Sequence, residues 1–229
     1  MNFLDLLFPR KCLGCGQWGS YFCSQCLNFL SLKEQRICPV CGRPSMGGMT
    51  HPSCFTPQSL DGLTAPFAYK GIIKRAIKKL KYRFVADLAK DLVEVFLSFC
   101  GEDQAFSCFC QEGPLFVPVP LHPRRKRWRG FNQAELLGKM MAANLGLNFE
   151  PGLLLRTKNT KPQTQLHDQE RKKNIRGAFK VRQDSKFIIH DSKFLIFDDV
   201  WTTGSTLREC GMVLKRAGAK KVWGLTLAR

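Results

Sequence analysis

Residues 193–229 read KFLIFDDVWTTGSTLRECGMVLKRAGAKKVWGLTLAR, and this stretch decides the fold. KFLIFDD is a short continuous apolar run, as expected of a strand buried on both faces. TTGSTLRECGMVLKRAGA reads as a helix that opens on small hydroxyl residues and closes at Gly218. KKVWGLTLAR is a second apolar strand. Strand, helix and strand in succession form a βαβ unit, so the sheet is parallel.

Ligands of an open parallel sheet collect at the carboxyl ends of its strands. Asp198 and Asp199 stand there, and two adjacent carboxylates can accept hydrogen bonds from the vicinal diol of a ribose. Thr202, Thr203, Gly204, Ser205 and Thr206 follow. They combine hydroxyl donors, a glycine that admits close backbone approach and the free N–H groups of a helix N-terminus, which is what a phosphate needs. A diol site a few residues from a phosphate cradle spans a 5-phosphoribosyl group.

Upstream, PLFVPVPL (114–121) reads as a buried strand, followed by the basic loop HPRRKRWRG and a helix from about Asn132 to Leu145. Ile72, Ile73, Ile77 and Leu80, then Leu88, Leu92, Val95 and Phe96, recur at helical spacing and place one or two helices there. Residues 57–66 (PQSLDGLTAP) have linker composition, and residues 1–56 lack any long apolar period. The expected division is 1–56, a 57–66 linker and 67–229.

Seven of the eleven cysteines precede residue 55, mostly in Cys-x-x-Cys pairs, a pattern that favours metal over a disulfide scaffold. Cys12 and Cys15, Cys23 and Cys26, Cys38 and Cys41, and His51 and Cys54 give eight donors in four pairs. Such pairs suit two tetrahedral Zn²⁺ sites with thiolates at about 2.3 Å. Sequential pairing puts the first four on one ion and the last four on the other; interleaved pairing and an iron-sulfur cluster are the competing readings. No start resembling a signal peptide and no apolar run of membrane length is present in the sequence, so a cytoplasmic protein is expected.

The 36 Lys and Arg against 18 Asp and Glu leave a formal charge of +18, which favours polyanionic partners. The stretch KGIIKRAIKKLKYR (70–83) has seven basic and no acidic side chains. Lys74, Lys78, Lys79, Lys81, Tyr82 and Arg83 are candidate contacts to single-stranded DNA, where phosphates pair with cations and aromatics stack on bases. The same stripe also fits the solvated face of an amphipathic helix.

FLIFDDVWTTGSTL (194–207) resembles the signature with which type I phosphoribosyltransferases bind 5-phosphoribosyl 1-pyrophosphate (PRPP). The resemblance implies that Asp198 and Asp199 hold the ribose hydroxyls and Thr202 to Thr206 the 5-phosphate; Trp201 is bulkier than expected. PRPP also carries a pyrophosphate, which calls for Mg²⁺ and basic clamps. Arg124, Arg125, Arg129, Arg156, Lys158 and Arg171 are candidates. His122 and His167 are titratable loop residues with no role assigned, and the sequence names no catalytic residue.

VPVPLHPRRKRWRGFNQAELL, LLRTKNTKPQTQLHDQERKKNIRGAF and the PRPP segment, with the cysteine-rich start and a basic helix ending in LKY, together resemble the ComF family of competence-associated proteins. That resemblance implies an α/β, type I phosphoribosyltransferase fold, a parallel-sheet core with a flexible hood, preceded by a small double zinc ribbon. It places the pyrophosphate loop after Pro120 and the hood at Arg156 to Gly177. It also implies PRPP binding with single-stranded DNA handling in natural transformation alongside the competence machinery. The alternative is an active transferase moving 5-phosphoribose from PRPP to an unidentified acceptor with release of pyrophosphate.

Overall fold

The computed structural model describes residues 10–30, 32, 35–82, 86–160, 168–182 and 189–229. In chain order the elements are α1 (Ser24–Leu27), β1 (Gly62–Thr64), α2 (Gly71–Tyr82), α3 (Ala86–Cys100), α4 (Gln104–Gln111) and β2 (Leu115–Pro118). They continue with α5 (Pro123–Arg129), α6 (Gln133–Asn144), β3 (Leu154–Arg156), α7 (Asp168–Ile175), β4 (Phe179–Val181), β5 (Lys193–Val200), α8 (Ser205–Arg216) and β6 (Lys221–Ala228).

The main sheet is parallel throughout, in the order β1-β6-β5-β2. The inner strand β5 explains why FLIF (194–197) had to be apolar at every position. Leu195 and Phe197 enter one core with α2, α3 and α6, while Phe194 and Ile196 enter the other with α8 and the β3–β4 pair. All four side chains are fully buried. The fold class is the expected one: a parallel α/β core, a small antiparallel pair (Leu154 opposite Val181) beside it, and a cysteine-rich ribbon in front.

Gly62–Thr64, inside the stretch of linker composition, forms the edge strand of the sheet, with Gly62 opposite Trp223. A Cβ on Gly62 would lie 2.3 Å from the Trp223 ring, so this position admits only glycine without movement. Nearby, Asp61 accepts from the Val222 N–H at 2.6 Å and pairs with the almost buried Lys215 at 2.9 Å.

The basic run HPRRKRWRG, read as a loop, contains a short helix. Pro123 stands at its first turn, the His122 Nδ1 accepts from the Arg124 N–H at 3.3 Å, and Gly130 ends it in the left-handed conformation (φ 83°). Asn132 caps α6 by accepting from the Ala134 N–H, while its amide donates to the Val119 carbonyl at 3.0 Å. One residue thus fixes both the strand end and the helix start.

The ribbon is part of the main core. Cys12, Tyr21 and Phe22 are buried in one cluster with Ile72, Ile73 and Phe96. Asp103, 3% exposed, accepts from the Phe106 N–H as the cap of α4 and from Thr64 Oγ1, and pairs with Arg36 of the ribbon at 3.2 Å. Asp103→Ala should lower unfolding free energy by about 3 kcal/mol, because it removes a cap and strands a partly buried guanidinium. Urea unfolding followed by circular dichroism measures this.

Candidate functional site

Two groups have donor atoms that all lie within 4.8 Å of one another: Cys12, Cys15, Cys23 and Cys26, and Cys38, Cys41, His51 and Cys54. The sequential pairing is therefore the one observed. The first knuckle of each group is held by the same backbone device. The N–H of Cys12 donates to Gln17 and that of Gly16 to Cys12; the N–H of Cys38 donates to Arg43 and that of Gly42 to Cys38, all at 2.8–2.9 Å.

Soft thiolates and one imidazole at this spacing suit tetrahedral Zn²⁺. His51 Nε2 lies 2.9 Å from the Pro44 carbonyl, which fixes its proton there and leaves Nδ1, 3.5 Å from Cys41 Sγ, free to ligate. The Arg43 backbone N–H holds the Cys41 thiol down to about 6, favouring the ligating thiolate. Cys100 and Cys210 are buried, and burial pushes both thiols well above their ordinary value.

The carboxylate pair and the hydroxyl turn meet at the carboxyl end of β5. Asp198, Thr202, Gly204, Ser205 and Thr206 line one cleft. Gly204 has φ +73°, and a Cβ there would meet Trp201 Cζ2 at 2.1 Å. Trp201, whose bulk was unexpected, is buried as the floor under that glycine. Thr203 Oγ1 donates to Ser205 Oγ at 3.1 Å.

Burial, then the neighbouring Asp199 charge, pushes the Asp198 carboxyl up to about 7. Asp199 pairs with Lys81 at 2.7 Å. Burial alone would lower the Lys81 ammonium, but the Asp199 carboxylate overrides it and holds Lys81 above its usual value.

Two guanidiniums converge beside this pair. Arg156 donates to Thr160 Oγ1 and Arg125 to the Thr160 carbonyl. Burial and then the Arg125 charge lower Arg156, and the Arg156 charge is felt at Asp198. The Arg156 Nε is buried without a hydrogen-bond partner among the described residues. Two like charges thus meet at Thr160, and one of them keeps an orphaned buried donor.

The remaining candidates are scattered. Arg129 reaches Gln133 at 2.9 Å, Lys158 donates to the Arg176 carbonyl at 2.9 Å, and Arg124 is exposed. The Arg171 side chain and His167 lie outside the described residues, as do Arg83 and the Tyr82 side chain. On α2, Lys79 lies over the Tyr21 ring at 4.9 Å, Lys74 lies over Tyr69 at 5.7 Å, and Arg75 donates to the Leu13 carbonyl. Much of that basic stripe therefore holds the ribbon and Asp199.

Arg208 was not foreseen. Its guanidinium stacks 5.1 Å from the Trp201 ring, donates to the Thr203 carbonyl at 2.9 Å and reaches the Pro39 carbonyl at 2.5 Å and the Val40 carbonyl at 3.3 Å. One side chain thus joins the Cys38 knuckle to the hydroxyl turn. Nothing in an Arg on a helix announces such partners. Glu209 likewise accepts from the Gly177 N–H at 2.6 Å, joining α8 to the end of the hood segment.

The fold and site define a zinc-ribbon protein with a parallel-sheet α/β domain. Residues 3–55 match the double zinc ribbon domain family. The chain is 30% identical to DNA utilization protein YhgH of Salmonella typhimurium over 224 residues, covering 94% of this chain and 93% of that protein. Competence protein ComFC of Bacillus subtilis is 27% identical, covering 90% of this chain and 83% of that one. Competence protein F of Haemophilus influenzae is 36% identical across 49% of each. The chain belongs to the ComF family.

No helix of the described residues is long and apolar enough to cross a membrane. His51→Ala should reduce bound zinc from two ions to one, since the two donor groups are separate. Metal analysis after dialysis checks the stoichiometry, and a Cys15→Ala chain serves as the reciprocal variant.

Proposed function

We propose that this chain binds PRPP in the cleft at the end of β5 and handles single-stranded DNA during DNA uptake. The observation that carries the PRPP reading is the juxtaposition of Asp198 and Asp199 with the Thr202 to Thr206 turn, the latter at the N-terminus of α8. Ribose hydroxyls donate to the carboxylates, and the 5-phosphate accepts from backbone N–H groups and hydroxyls of the turn. Arg125 and Arg156 then face the pyrophosphate, and Mg²⁺ entering with it finds oxygen donors on Asp198 and Asp199.

The DNA part is supported by the relatives' names, which speak of DNA utilization and competence, and by the +18 formal charge. The second reading, transfer of the 5-phosphoribosyl group to an acceptor, is supported by Arg125 and Arg156, whose two charges, brought together at Thr160, suit the charge that develops on a leaving pyrophosphate. Pyrophosphate release in the presence of nucleobases or oligonucleotides separates the two.

Calorimetry of PRPP with Mg²⁺ tests the binding claim. Asp198→Ala with Asp199→Ala should weaken binding about 100-fold, the equivalent of two charge-assisted hydrogen bonds; unchanged affinity contradicts it. The sign of the pH dependence follows from Asp198. Raised to about 7, it carries its proton at pH 6 and accepts hydroxyl donors fully only above 7. Affinity should therefore rise several-fold from pH 6 to 8, and Asp198→Asn should flatten that part of the rise left after titration of the ligand's own phosphate.

A further inference from the structure

We infer that single-stranded nucleic acid binds along α5, with a base stacked on Trp128 and the backbone on Arg124 and Arg127. The inference rests on the DNA reading above and names the surface that would carry it. Trp128 is 77% exposed and has no ring or hydrogen-bond partner among the described residues. An indole is the side chain with most to gain from burial, so one left in water on a helix of five cations marks an interface.

Charge complementarity chooses the partner. In α5, Lys126 is paired with Glu135 at 2.9 Å, Arg125 donates to the Thr160 carbonyl, and Arg129 is held by Gln133. Arg124 and Arg127 are exposed and make no such contact among the described residues. Arg124 precedes Trp128 by one turn, so both share a side of the helix. Two cations flanking a bare indole form the minimal unit of single-strand recognition, with phosphates on the guanidiniums and a base on the ring.

On the alternative surface, α2, several cations are engaged in holding the fold together. Lys81 is held by Asp199, Lys79 by the Tyr21 ring and Arg75 by the Leu13 carbonyl. Position adds a second argument for α5. Arg125 of the same helix meets Arg156 at Thr160, and Arg156 acts on Asp198. The helix that bears Trp128 is thus tied, through Arg125 and Arg156, to the polar end of β5.

The test is fluorescence anisotropy of labelled oligo-dT on the full zinc-loaded chain. Trp128→Ala should weaken binding about tenfold and Trp128→Phe should restore most of it, as expected for stacking. The salt slope should stay unchanged in Trp128→Ala and fall by about 0.7 in Arg124→Ala or Arg127→Ala, one phosphate contact each. Quenching of the intrinsic indole emission by unlabelled oligo-dT should shrink in Trp128→Ala. If the wild type binds and Trp128→Ala binds equally well, the site is elsewhere and the inference is overturned, most directly if Lys74→Ala with Lys78→Ala then lowers affinity instead. If the wild-type chain binds no oligo-dT at all, the DNA reading itself fails and this surface with it, while PRPP binding stands or falls by calorimetry.

Discussion

The ion pair between Lys81 and Asp199, 2.7 Å long, is the joint on which the arrangement turns. Asp198 and Asp199 are adjacent carboxylates at the end of a buried strand, and side by side they repel. Without a cation one of them must stay protonated whenever the fold is intact. Lys81 supplies that cation from the last turn of α2, and burial, then the Asp199 charge, still lift Asp198 to about 7. The same helix carries Arg75 and Lys79 to the ribbon, and Ile73, Ile77 and Leu80 to the core. One amphipathic helix therefore couples the ribbon, the core and the polar end of the sheet.

From this follows a different view of the ribbon. Cys-rich segments too short for a core of their own are stabilised by metal, and here the metal-holding loops also lend carbonyls and rings to the α/β domain. Leu13 receives Arg75, Tyr21 receives Lys79, and Pro39 and Val40 receive Arg208. Through Arg208 the second knuckle reaches the Thr203 carbonyl inside the hydroxyl turn. Knuckle geometry and turn geometry are held by one guanidinium, so neither can shift far without the other.

What the sequence disclosed and what it hid divides along a physical line. β5, α8 and β6 were legible because the signals are local: continuous apolar strands, a hydroxyl-rich helix start and a glycine stop. The metal donors were legible because two ligands three residues apart reach one ion, whereas the four-by-four grouping, which spacing left open against interleaving, came from the structure. β1 was hidden, since three residues in a Pro- and Gly-bearing stretch become a strand only through parallel pairing with β6. The helix in Pro123–Arg129 was hidden by its charge. The engagement of the α2 cations and of Arg208 was hidden because their partners are carbonyls and rings distant in sequence, set by tertiary packing alone.

The account stands on a carboxylate pair and a phosphate turn serving one ligand together. A crystal structure of the zinc-loaded chain with Mg²⁺ and PRPP addresses that most directly. The ribose hydroxyls should lie within hydrogen-bond distance of Asp198 and Asp199, with the 5-phosphate on the N–H groups between Thr202 and Thr206. Density for PRPP outside this cleft, or a phosphate bound while the aspartates stay paired only with Lys81, would contradict it.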